Sequence, residues 1–196
     1  MRKFVTIGPP RLSDTKIAAD LHLKTIPGIS SMLGQLYLNK FYKTLIGKTG
    51  HMSLAAYADN HLVGIITTTQ DISTTLNHLH KLFNLNIYLI LFSKVITMQV
   101  SPLTIFGRIR FEKYQDKSYK KPYASIVTFC VNSNYQHRGI GSSLIRGVIK
   151  KAKKMGINRI YVDTRTTNIQ ANKFYLKIGF RKQGQFSGNV IFCKNV

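Results

Sequence analysis

Along residues 12–23 apolar positions return at helical steps. Ile17, Ala18 and Leu21 form one stripe, with Ser13 as a cap and Asp14 in the first turn, which predicts an amphipathic helix. Pro27-Gly28 breaks the chain. Ser30 or Ser31 then caps a second predicted helix, in which Met32, Leu33, Leu36, Tyr37, Phe41 and Leu45 recur at three- and four-residue steps and Gly47 is the stop. The pattern next turns strand-like. Residues 51–58 and 62–69 read as strands, the second rich in β-branched side chains, and Asp59-Asn60 between them reads as a hairpin turn.

Residues 71–115 return to a helical pattern through Leu76, Leu79, Leu82, Phe83 and much of 87–100, and Pro102 is expected to end it. This region reads as a helical insertion. Its most apolar run, 82–100, is interrupted by Asn84, Asn86, Ser93, Lys94 and Gln99, whereas a bilayer crossing wants ~20 mostly apolar residues. A buried helix or helix pair is expected, with peripheral membrane contact as the lesser alternative. The last third reads strand 123–131, helix 142–155, strand 157–164, helix 169–178 and a closing hairpin of 180–185 and 189–194 around Ser187-Gly188. The helix 142–155 has Leu144, Ile145, Val148, Ile149, Ala152 and Met155 on one face and Gly156 just past its end. Helices and strands in this order predict a single α/β (α+β) domain over residues 1–196, without internal repeats.

A chain of 196 residues can build one full core. Charge changes the picture more. Lys and Arg number 29 against 7 Asp and Glu, a net charge of +22, and such a surface attracts anions. The basic residues are spread along the chain rather than gathered in a tail, so a lysine-rich solvated surface is the plain alternative to anion steering. Cys130 and Cys193 lie in apolar, strand-like runs without CxxC spacing. They read as buried free thiols in a reducing, cytoplasmic compartment. Residues 1–8 contain no apolar signal-peptide core. His22, His51, His61, His78, His80 and His137 show no metal-ligand spacing, so no metal is expected.

The sharpest local signal is the strand 123–131 followed by NSNYQHRGIG and then the helix SSLIRGVIKKAKKMG. Gly139 and Gly141 let a ligand approach the backbone closely. Unpaired N–H groups at the helix start, with the helix dipole behind them, match a pyrophosphate. Arg138 and His137 can add side-chain donors, and Ser142 and Ser143 hydroxyls. No Gly-Lys-Ser/Thr follows, so this is not a P-loop, and Leu144 breaks the dinucleotide fingerprint GxGxxG. A purely structural glycine turn is the bland reading.

Past the next strand stands NIQANKFYLKIGF, residues 168–180. QHRGIG followed by helix, strand and N-x-x-A-x-x-x-Y-x-x-x-G-F resembles the GCN5-related N-acetyltransferase (GNAT) superfamily. The resemblance is strong over 123–180 and elsewhere covers element order only. The stretch TIPGISSMLGQLYLNKFYKTLIG also resembles a bacterial subgroup, some of whose members lie near sugar-modification genes. The resemblance implies a central, mixed but mostly antiparallel twisted sheet flanked by helices, and acetyl-CoA or another acyl-CoA as donor. Gln136, His137, Arg138, Gly139, Ile140 and Gly141, with Ser142, would hold the CoA pyrophosphate. The backbone of Phe129, Cys130 and Val131 would pair with pantetheine, and the Val131 amide would face the thioester carbonyl. Asn168 would contact the pantetheine arm, and Tyr175 would be the general acid or contact the thiol.

The chain departs from the family in one place. Many relatives carry a Glu early in the strand before the loop; here Ala124-Ser125 stands there, and no carboxylate occurs between Lys117 and Asn158. Glu112, Asp116, Asp71, Asp163, His78 and His80 remain as bases by elimination, beside a water chain with no single base. The expected function is acetyl transfer to the primary amine of a small molecule, an amino-sugar favoured. The alternatives are acyl transfer from an acidic acyl-carrier protein or a longer acyl-CoA, and a non-catalytic acyl-CoA or nucleic-acid binding module. Nucleic acid is disfavoured by the phosphate loop. A carrier protein, a membrane surface and a second copy of the chain stay open as partners.

Overall fold

The computed structural model of the chain describes residues 4–46 and 52–196 and, at Asp116, the backbone alone. The predicted stop at Gly47 and the predicted strand start at His51 lie outside the described residues. By its internal contacts the chain divides into two compact units, Met1–Gln70 with Ile126–Gly156, and Asp71–Ser125 with Ile157–Val196. Both are mixed α/β.

The first unit holds β1 (Val5–Gly8), α1 (Thr15–Thr25), α2 (Ile29–Met32), α3 (Gly34–Leu45), β2 (Leu54–Ala58), β3 (His61–Thr69), the part of β4 (Tyr123–Val131) from Ile126 onward, and, after three helices of the second unit, α7 (Ile140–Lys154). Its strands run in the order β1-β2-β3-β4. β2 pairs antiparallel with both β1 and β3. The β2–β3 turn places Asp59 and Asn60 at φ 49° and 63°, the left-handed pair that Asp and Asn tolerate and that matches strand twist. Every residue of β2 is buried, and every residue of β3 except His61, so helices must cover both faces. α7 packs on β2 and β3, and α1 on β3 and α3.

Sequence reading misplaced part of this unit's core. Ile17, Met32 and Leu36 are exposed, and the inner positions are Ala18, Ala19, Leu38, Tyr42 and Leu45. The predicted second helix is two helices. Gly34 at φ 81° breaks it and resets the rotational phase, so α3 buries Tyr37, Leu38, Phe41, Tyr42 and Leu45. β1 was not predicted. Four residues are too few for a period, and pairing with β2 is what makes them a strand.

The second unit holds α4 (Ile72–His80), α5 (Leu85–Ile96), α6 (Pro102–Ser118), the first three residues of β4, β5 (Arg159–Arg165), α8 (Ile169–Lys177), β6 (Arg181–Phe186) and β7 (Asn189–Asn195). β7 pairs antiparallel with β5 on one side and β6 on the other. The insertion is helical, as predicted, with Asp71, Asn84 and Ser101 each accepting a first-turn N–H. Two expectations fail there. Pro102 does not end a helix but opens α6, a first-turn position where its missing N–H costs nothing. Nor is α5 a buried helix: Ile87 alone of its residues is buried. A segment apolar nearly all round has more faces than the unit has core to cover them.

Candidate acyl-donor site

In the first unit β4 ends at Val131, and a short chain reversal leads into α7. Asn132 starts it, its Oδ1 accepting from the Asn134 N–H at 3.0 Å. One 3-10 turn follows over Ser133–Tyr135. Gln136 folds back and donates through Nε2 to the Val131 carbonyl at 3.0 Å, so this candidate braces the end of β4. His137 then stands at φ 59° and Gly139 at φ 80°. A glycine meets the second of these left-handed positions without cost, and nothing lies within 4 Å of where a Cβ would sit.

Gly139 caps α7 with no side-chain hydrogen bond. Among the described residues no protein group accepts from the N–H groups of Ile140, Gly141 or Ser142. Orphan amides of this kind carry the positive end of the helix dipole. The first turn holds no acidic residue to neutralise them. Arg138 adds a full charge beside them, exposed, with its guanidinium 5.4 Å from the Tyr135 ring centroid. Ile140 is buried and anchors the helix start, while His137 and Gly139 are exposed and Gly141 and Ser142 half-buried. Ser143 is taken as acceptor by Arg146 at 2.8 Å. The chemistry this offers is recognition of a phosphate anion by backbone donors.

The strand leading there alternates little. Phe129 is half-buried, Cys130 and Val131 buried. The Cys130 thiol points inward to the Tyr42 hydroxyl at 3.6 Å, and that hydroxyl lies 3.2 Å from His22 Nδ1. Burial pushes the thiol up to about 11, so it is inert as a nucleophile and only the Cys130 backbone is open to a binding role.

In the second unit Asn168 is exposed and caps α8, its Oδ1 accepting from the Ala171 N–H at 3.1 Å. Tyr175, on the same helix, is buried among Phe174, Phe180 and Phe192, with ring centroids 5.5–5.8 Å away. Burial, and then the charge of Asp163, push its hydroxyl well above the ordinary phenol range. It therefore stays protonated, as an acid must before it acts.

The bases left open by the sequence separate here. Asp71 is spent on capping α4, and the Thr74 N–H holds it below its usual value. His78 is bound to the Thr74 carbonyl at 2.7 Å. The side chain of Asp116 lies outside the described residues. Glu112, Asp163 and His80 instead share one network: Glu112 meets His80 Nε2 at 3.2 Å and Arg108 Nε at 3.0 Å. Arg108 also reaches Asp163 at 3.7 Å, and Gln115 Nε2 donates to Asp163 Oδ1 at 2.7 Å and to the Tyr119 hydroxyl at 3.0 Å. Burial raises Asp163, with Arg108 and Gln115 opposing. Sequence reasoning missed Arg108 and Gln115. The Arg108/Glu112 spacing of four was readable, but nothing in the sequence ties α6 to Asp163.

An antiparallel α/β scaffold here presents bare helix-start amides, donors of the kind a phosphate anion accepts from. Residues 100–180, less than half of the chain, match the family model described as Acetyltransferase (GNAT) family. It is 26% identical over 81 residues to N-acetyltransferase 8 of Homo sapiens, covering 41% of this chain and 36% of that protein. It is 38% identical over 58 residues to the uncharacterized N-acetyltransferase YvbK of Bacillus subtilis (strain 168), covering 30% of this chain and 37% of that protein. The matched segment thus spans little more than a third of these relatives' length. The fold matches the crystal structure of PaiA N-acetyltransferase from Thermoplasma acidophilum in complex with coenzyme A, with a TM-score of 0.64 at 14% identity, covering 98% of this chain and 99% of that one. At such identity the likeness shows the fold, a mixed α/β fold with mostly antiparallel sheet, as the sequence predicted.

Proposed function

We propose that the chain is an acetyl-CoA-dependent N-acetyltransferase that moves an acetyl group to the primary amine of a small molecule by direct attack. The observation that carries this reading is the start of α7, where Gly139 at φ 80° presents amides with no protein partner. The coenzyme A named in the PaiA structure supports the donor, and the residues here fit it. Bound, acetyl-CoA supplies an activated acyl group. In the first unit the amides of Gly139, Ile140, Gly141 and Ser142, with Arg138 and His137, hold the pyrophosphate, and Gln136 keeps the end of β4 in place. The backbone of Phe129, Cys130 and Val131 pairs with the pantetheine arm. The Val131 N–H faces the carbonyl oxygen on which negative charge develops, a donor worth ~3–4 kcal/mol in the transition state.

For the second unit, the resemblance over residues 168–180 alone supports a pantetheine contact for Asn168 and an acid's role for Tyr175. The His80–Glu112 pair takes the amine's proton; its support is that it joins a half-exposed imidazole to a carboxylate. The functional unit is the whole of residues 1–196, working in the cytoplasm, where its two free thiols stay reduced. An amino-sugar is the favoured acceptor, on the resemblance of TIPGISSMLGQLYLNKFYKTLIG alone.

Differential scanning with acetyl-CoA tests the reading. Ligand at a hundred times its Kd stabilises by ~2.7 kcal/mol, so the unfolding temperature should rise clearly. Gly139→Glu should abolish the rise, because it puts bulk and negative charge among the amides. Open space around Gly139 leaves the fold only the left-handed strain of ~1–2 kcal/mol to bear. A rise retained in Gly139→Glu would move the donor site elsewhere. A rise with DNA and none with acetyl-CoA would favour a nucleic-acid binder.

A further inference from the structure

One surface of the second unit inverts the usual rule for a helix in water. On α5 the exposed large apolar residues are Leu85, Tyr88, Leu89, Phe92 and Ile96, each 56–73% exposed. Their spacing puts all five within an arc of about 100° of the helix circumference. Ile87, the buried residue of α5, lies on the far side of the helix and holds it to the unit. The apolar surface continues along the chain through Met98, 93% exposed, and into α6 through Leu103 and Phe106. An exposed apolar stripe of this length marks a contact surface.

We propose that this stripe docks the protein on an anionic lipid surface, α5 lying in the plane of the headgroups. The inference does not rest on the acyl-transfer reading. Charge selects the occupant. The chain carries +22, and residues 72–111 contain no carboxylate at all. Lys81 precedes α5, Lys94 sits in its last turn, and Arg110 of α6 lies 5.6–5.7 Å from the ring centroids of Phe106 and Phe186. A second copy would bring another +22 and no carboxylate in this segment to meet those cations. Acidic headgroups meet them, and acyl chains take the stripe. Tyr88 suits the boundary, with an apolar ring and a polar tip.

Docking here is surface contact. Among the described residues no single helix is long and apolar enough to cross a membrane, and α4 and α5 are bent by 92°. The 12 residues of α5 span about 18 Å against a hydrocarbon core of ~30 Å.

The chain contains no tryptophan, so Phe92→Trp makes one reporter at the centre of the stripe. Its emission should shift to the blue with phosphatidylglycerol/phosphatidylcholine vesicles and not with phosphatidylcholine alone. Leu89→Glu/Phe92→Glu should keep its circular dichroism and unfolding temperature, since both sites are exposed, while co-sedimentation with the acidic vesicles falls about tenfold or more per side chain. Three results would overturn the proposal. The unaltered chain could stay in the supernatant with acidic vesicles. It could sediment with them while Phe92→Trp shows no shift, or the double variant binds equally, leaving the basic surface alone responsible. Or the shift could appear without lipid and grow with protein concentration as light scattering reports a dimer, making a second copy the occupant.

Discussion

His22 shows what one buried side chain does to the pH dependence of the fold. It lies 3% exposed in the first unit beside the Tyr42 hydroxyl, and burial lowers it from 6.5 to about 4. Between those values the unfolded chain takes up a proton that the folded chain refuses. Stability is therefore full above 6.5 and falls as the pH drops towards 4, by about 3 kcal/mol for this group. Denaturant unfolding across that window should show the slope, and His22→Gln should flatten it. Tyr175 poses the opposite question, because its ring packs on three phenylalanines and its hydroxyl is the candidate acid. Tyr175→Phe keeps the ring and should lower kcat about 10²-fold with acetyl-CoA affinity unchanged. Weakened affinity with normal turnover would assign Tyr175 to packing alone.

At the scale of elements, α7 was the most legible. Of the six residues read as its inner face, Leu144, Ile145, Val148 and Ala152 are buried, Ile149 is half-buried, and Met155, just past the last turn, is exposed; Gly156 past its end stands at φ 68°. Gly147 in its middle was not singled out, yet a Cβ there would fall 2.6 Å from Leu54 Cδ1 of β2. The glycine lets helix and sheet approach closely. Gly147→Val should lower stability by about 1–3 kcal/mol in denaturant unfolding, despite valine's better helix propensity. The α2–α3 break and the exposure of α5 were illegible for one reason: periodicity shows that a helix has an apolar face but not which face another element will cover.

At the scale of the whole molecule, the +22 charge suits both anionic partners proposed above, a pyrophosphate at the α7 start and acidic headgroups along α5. The α7 start was legible, because a glycine turn between strand and helix is a local device whose N–H groups are orphaned by helix geometry itself. The gathering of Arg108, Glu112 and His80 with Asp163 was not, since it joins residues far apart in the chain. The sequence by itself determined most of the helices and strands and the glycine turn before α7, all products of short-range backbone geometry and hydrophobic period. Tertiary structure alone decided which apolar faces are buried, which carboxylates lose solvent and which basic side chains find partners. Those are properties of neighbours, and the fold chooses the neighbours.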